Sequence, residues 1–171
     1  PYTTLFRSLY NDGTNVGINT TSPAQKLDVN GEMSVNGVLF GKGPGSGANN
    51  VRAGSAAFVS NTTGYSNSAI GTGALALNTT GAQNMAIGNA ALAQNVDGGN
   101  NMAIGTASMY GNVSGSNNVG IGTYSLVSNT VGAYSTGVGH AALQANTIGD
   151  YSTALSASAL NSNTTGDANI G

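Results

Sequence analysis

A period of 17 residues runs from Gly54 to Gly171 and constrains this chain more than any other feature. Set at that period, the sequence gives six full coils and a seventh that lacks only its last residue. Asn holds the eighth position every time, as Asn61, Asn78, Asn95, Asn112, Asn129, Asn146 and Asn163. Gly follows three residues later, as Gly64, Gly81, Gly98, Gly115, Gly132, Gly149 and Gly166. The first position is Gly54, Gly71, Gly88, Gly105, Gly122 and Gly139, then Ser156. A large apolar residue fills the fifth: Phe58, Leu75, Leu92, Met109, Leu126, Leu143 and Leu160. The seventeenth is Ile70, Ile87, Ile104, Ile121, Val138 and Leu155. Self-similarity at a fixed short period marks a stacked array in which each repeat buries its face on the next.

Seventeen residues are too few for a helix pair and suit two short strands joined by two turns. Met85-Ala86-Ile87-Gly88, Met102-Ala103-Ile104-Gly105 and Val119-Gly120-Ile121-Gly122 alternate large and small, the period of a strand with one buried face. A second strand is expected through Ala90-Ala91-Leu92 and its equivalents. Ala-Ala-Leu-Ala-Gln is also a good helix former. Each such run is only four or five residues between Gly and Asn, however, and so short a nucleus does not persist in water. Asn-Thr-Thr-Gly at 61–64, 78–81 and 163–166 supplies turns: Asn for local side-chain bonds, Gly for positive φ. Stacked about 4.8 Å apart, as neighbouring strands are, the Asn side chains form an amide ladder at a corner. The expectation is an all-β parallel solenoid, with i paired to i+17 and the fifth and seventeenth positions inside.

The face opposite those apolar residues is small throughout. Position sixteen reads Ala69, Ala86, Ala103, Gly120, Gly137, Ala154 and Gly171; position four reads Ala57, Ala74, Ala91, Ser108, Ser125, Ala142 and Ala159. Either these strands are simply tight for space or a second chain approaches this face closely. The interior of one coil is thin, which favours the second reading and an obligate oligomer.

Charge excludes several functions. Only 6% of residues are charged, and from Gly54 onward there is no Lys or Arg, while the acids are Asp97, Asp150 and Asp167. A nucleic-acid binder needs a basic stripe that these repeats lack. No apolar run approaches the ~20 residues of a membrane-spanning helix. The absence of Cys removes disulfides and thiolate metal sites. His140 is the lone histidine and falls at a variable position, so no metal ligand, catalytic residue or cofactor site is expected. Asp150 and Asp167 are stacked equivalents but too sparse for a calcium roll. Tyr134 and Tyr151 stand one coil apart, with Tyr65 and Tyr124 nearby in kind, and offer an outward aromatic ladder for sugars or proteins. A partly buried turn tyrosine is the plainer reading of each. Glycan cleavage would need paired carboxylates, which are missing. An ice-binding face would need a regular Thr array, which Val96-Asp97 and Val113-Ser114 interrupt. The sequons at Asn19, Asn61, Asn78, Asn112 and Asn163 follow from turn chemistry.

Residues 1–8, Pro1 to Ser8, read as the translation of a sequencing-library adapter, and Asn169-Ile170-Gly171 stops inside a strand. Both ends are expected to be truncated, as in a metagenomic fragment. Residues 11–40 alternate apolar residues around Asn30-Gly31 and Asn36-Gly37, so short hairpin strands are expected there. A Gly-rich linker is expected over 41–53; Lys42 lacks the spacing of a phosphate loop.

The Asn-x-Ala-Ile-Gly, Ala-Leu and Asn-Thr-Thr-Gly text of the repeats, with Asn84-Met85-Ala86-Ile87-Gly88 as an example of its first part, resembles the head repeats of trimeric autotransporter adhesins, and more closely the related repeats of bacteriophage tail fibres. Val16-Gly17-Ile18-Asn19-Thr20-Thr21-Ser22-Pro23 with Lys26-Leu27-Asp28-Val29-Asn30-Gly31 is similar to a stretch common in such fibres, often upstream of a self-cleaving chaperone domain. The resemblance implies a left-handed β-roll and a homotrimeric fibre working outside the cell, on a virion or bacterial surface, in attachment to a host glycan or protein. The adhesin head repeat is usually shorter than seventeen residues, and no self-cleavage dyad lies in these residues. A glycan- or ice-binding solenoid is the alternative role.

Overall fold

The computed structural model describes residues 9–171; the adapter-like residues 1–8 lie outside the described residues. All twelve elements are short strands, and no helix occurs among the described residues. β1 (Leu9–Asn11), β2 (Val16–Ile18) and β3 (Leu27–Val29) form a small sheet in which β2 runs antiparallel to β1 and parallel to β3. β4 (Met33–Val35) and β5 (Val38–Gly41) are a hairpin whose Asn36 and Gly37 both take positive φ, as a tight two-residue turn requires. Asn30-Gly31, in contrast, makes no hairpin, because β3 and β4 belong to different sheets.

The repeats form the expected parallel solenoid. β6 (Val51–Ala53), β7 (Ser68–Ile70), β8 (Met85–Ile87), β9 (Met102–Ile104), β10 (Val119–Ile121), β11 (Thr136–Val138) and β12 (Thr153–Ala154) pair in parallel, each residue facing its equivalent 17 residues on. A last bridge joins Thr153 to Ile170.

The second strand of each coil is not there. Ala90 and Leu92 take left-handed backbone, at φ 54° and 50°, and every residue at the fifth position does the same. Alternating hand curls this stretch into a turn, yet its ladder survives: the Leu75 N–H donates to the Ala91 carbonyl and the Ala90 N–H to that of Thr72. Left-handed backbone is costly for a side chain of this size, and burial of the fifth residue in every coil from Phe58 to Leu143 offsets it.

The alternation in the remaining strand is as expected, but its phase is reversed. Ala69, Ala86, Ala103, Ala154, Ala57, Ala74, Ala91 and Ala142 are the fully buried ones. Ile87, Ile104, Ile121 and Val138 are half-buried on the outside, and Leu155 is 63% exposed. The reason is space. The fifth residue fills the cross-section, so whatever faces it must be small: a Cβ at Gly137 would lie 2.7 Å from Ser125 Oγ and 3.4 Å from Leu126 Cγ. Positions four and sixteen are therefore matched within each coil. Ala faces Ala in coils one to three and six, whereas Ser108 and Ser125 accompany Gly120 and Gly137, each hydroxyl donating to the glycine carbonyl at 2.8 Å. Gly137→Ala alone is expected to cost about 1–3 kcal/mol by overpacking. Adding Ser125→Ala should recover most of that loss, since it recreates the Ala–Ala coil; urea unfolding of the single and double variants measures the coupling.

Residues 43–53, expected as linker, are built onto the first coil. The Asn50 side chain donates to the Gly64 carbonyl, Asn61 donates to that of Pro44, and the Ser46 N–H to that of Thr62. Arg52, in register with Ala69, turns its side chain into the end of the core, where it is 5% exposed. Its Nη1 donates to the Ala57 carbonyl and its Nη2 pairs with the Glu32 carboxylate, which also accepts from the Gly43 N–H. β5, antiparallel to β6, covers the sheet edge that would otherwise be open on this side.

Candidate functional site

The amide ladder runs inside the solenoid. Asn95 Nδ2 donates to Asn78 Oδ1 at 2.7 Å, Asn112 to Asn95 at 2.8 Å, Asn129 to Asn112 at 3.0 Å, Asn146 to Asn129 at 2.9 Å and Asn163 to Asn146 at 3.1 Å. The first rung is missing, and Asn61 Oδ1 has no partner. Each of these Nδ2 groups also donates to the Gly carbonyl three residues on, at 2.9 Å for Asn95 and Gly98.

A second ladder, at position fourteen, escapes the sequence reading. Asn50, Asn67, Asn84, Asn101 and Asn118 each accept the N–H of the fourteenth residue of the next coil and donate to its eleventh-position Gly carbonyl. Ser135 and Ser152 continue it with shorter reach. The two ladders converge on one acceptor: the Gly98 carbonyl receives Asn95 at 2.9 Å and Asn84 at 2.8 Å. That crowding explains the glycine. None of Gly64, Gly81, Gly98, Gly115, Gly132, Gly149 and Gly166 has positive φ, contrary to expectation. A Cβ at Gly98 would instead stand 2.4 Å from the Gly115 carbonyl oxygen and 2.5 Å from Asn95 Oδ1. Positive φ belongs to the first-position glycines, from Gly54 at 149° to Gly139 at 136°. These fourteen Asn and Gly residues are thus scaffold, twelve of them buried and Asn163 and Gly166 half-buried at the end of the ladder.

Tyr134 and Tyr151 do form an outward ladder. Left-handed backbone at both, φ 55° and 57°, accompanies rings that stack 5.1 Å apart and 5° from parallel. They are 54% and 60% exposed. Tyr124 meets His140 edge to face at 6.3 Å, and Tyr65 is exposed alone in the first coil. Beside the tyrosine ladder, Asp150 Oδ1 accepts the Ala133 N–H at 2.7 Å and Asp167 Oδ1 the Asp150 N–H at 2.8 Å. Comparison with family models, curated proteins and solved structures finds no match. Functional argument therefore rests on these surfaces themselves.

The other outward feature is the parallel sheet. Positions fifteen and seventeen leave a stripe of Met85, Ile87, Met102, Ile104, Val119 and Ile121 on its outer side, with Ile70 and Leu155 exposed at either end. The threonines are less free: Thr62, Thr79, Thr130 and Thr147 each give their hydroxyl to a carbonyl of the next coil. Among the described residues no cluster of His, Asp and Glu could hold a metal ion, and no helix is long and apolar enough to cross a membrane. Asp12 has its carboxyl held below the usual range by the N–H groups of Asn15 and Thr14, a turn device between β1 and β2.

Proposed function

We propose that this chain is a structural segment of an extracellular fibre, a phage tail fibre or bacterial surface adhesin, assembled from three copies and serving attachment. The observation that carries the proposal is the apolar stripe. While the fifth-position side chains fill the interior, a continuous row of large aliphatic side chains from Met85 to Ile121 lies on the outer side of the sheet, where only a partner removes them from water. The contact face is thus the large-residue side, positions fifteen and seventeen, and not the small-residue side that the sequence favoured. The resemblance of the repeats to fibre repeats supports the number three and the setting. Absence of basic residues from Gly54 onward fits a shaft that must not stick to nucleic acid.

Sedimentation of the full chain tests this directly. Wild type should run as a trimer, while Ile87→Asp with Ile104→Asp should run as a folded monomer, because both side chains lie outside the core. A monomeric wild type would overturn the proposal. Ala86→Leu, by contrast, should damage folding itself, since Ala86 is fully buried.

A further inference from the structure

We propose that the outer face of Tyr151 is a stacking site for one neutral pyranose ring. The tyrosine ladder stops abruptly. Position thirteen carries Tyr in coils five and six and Ala168 in coil seven, so the third ring's slot in the stack holds only a methyl group, and Tyr151 is 60% exposed. Ala168 keeps the same left-handed backbone, φ 55°, as Tyr151 at 57°, and its N–H donates to the Asp150 carbonyl as that of Tyr151 does to Ala133. The slot is therefore held by the same ladder that spaces the two rings.

Its wall is polar. Asp167 precedes Ala168, and one of its carboxylate oxygens is fixed by the Asp150 N–H at 2.8 Å. Among the described residues the other oxygen carries no hydrogen bond, so it is a free acceptor on the residue next to Ala168. Asp150 is held the same way one coil earlier. A pyranose supplies both complements: axial C–H groups for the ring and equatorial hydroxyl donors for the carboxylate. An aromatic side chain from a protein would leave the carboxylates unserved. Charge refines the choice, because no Lys or Arg lies between Gly54 and Gly171 while both nearby ionisable groups are acidic. Anionic sugars are repelled and neutral ones accepted. This inference stands apart from the fibre proposal, for it needs only one chain.

The test is saturation-transfer NMR on the full chain with methyl β-glucopyranoside, irradiating the tyrosine ring protons. Transfer should appear on the sugar C–H protons of one face, and the methyl glycoside of sialic acid should show none. Ala168→Leu covers the outer face of Tyr151 with an aliphatic side chain and adds no new aromatic face, so it should abolish transfer. Tyr151→Ala should weaken binding about tenfold or more. No transfer in wild type, or undiminished transfer in Ala168→Leu, overturns the assignment.

Discussion

Asn95→Asp is expected to abolish cooperative folding at neutral pH and to regain part of it in acid. Asn95 is fully buried, gives its two amide protons to Asn78 Oδ1 and the Gly98 carbonyl, and takes one from Asn112. A carboxylate can keep only the last of these. Its other oxygen would face two acceptors, with no cation in the repeats to compensate. An uncompensated buried charge costs several kcal/mol even after relaxation, comparable with the whole stability of a small domain. Burial and the facing oxygens both raise the folded-state pKa of the new acid. The sign follows: the protonated acid, which can donate one bond, is favoured in the folded state. Stability is greatest below the unfolded carboxylate pKa of about 3.9 and falls as pH rises through the raised folded value. Circular dichroism melts at several pH values would show it. A variant melting like wild type at neutral pH would mean the ladder is ornamental. Asn163→Asp, at the half-buried end of the ladder, should be milder.

Much of this architecture is legible in the sequence, and the failures share one cause. The period, the parallel register and the position-eight ladder follow from recurrence alone, and the structure bears them out. Recurrence cannot say which side of an alternating strand faces in. Ile87 and Ala86 recur equally well, and the usual rule that the larger residue is buried fails because Leu75 and Leu92 already fill a coil one side chain thick. The clue was present in the Ser–Gly and Ala–Ala matching of positions four and sixteen, which only facing residues require. Positive φ is the usual reason for a turn glycine, but at Gly98 the constraint is space, since a Cβ would meet the Gly115 carbonyl oxygen and Asn95 Oδ1. The second ladder was hidden because Ser135 and Ser152 interrupt the Asn run. Extending the 17-residue grid upstream would have placed Gly47, Asn50 and Arg52 at positions eleven, fourteen and sixteen and dissolved the linker. The tyrosine ladder needed the coil spacing to become visible as a stack.

That same upstream coil carries the second large effect. Glu32→Ala should be more damaging than Arg52→Ala, although Arg52 is the more buried partner. Removing Glu32 leaves a guanidinium in the end of the core with only the Ala57 carbonyl on Nη1, and its Nε is already without a partner. Breaking a buried pair from one side costs about 3–5 kcal/mol. Water reaching the third-exposed Glu32 side reduces that figure without removing it. Removing Arg52 instead takes the charge away and leaves Ala at position sixteen, the residue that coils one to three use there. The double variant should match Arg52→Ala, because with the cation gone Glu32 has little left to do beyond its bond to Gly43. In a stacked array the loss stays near the end where it is made. Hydrogen exchange should therefore quicken at Val51 and Ser66, whose amides join the cap to the first coil, and at Phe58, whose amide joins the first coil to the second, before it changes at Met109 or Leu126. If Arg52→Ala proves the worse of the two, the pair acts as packing and not as a charge cap.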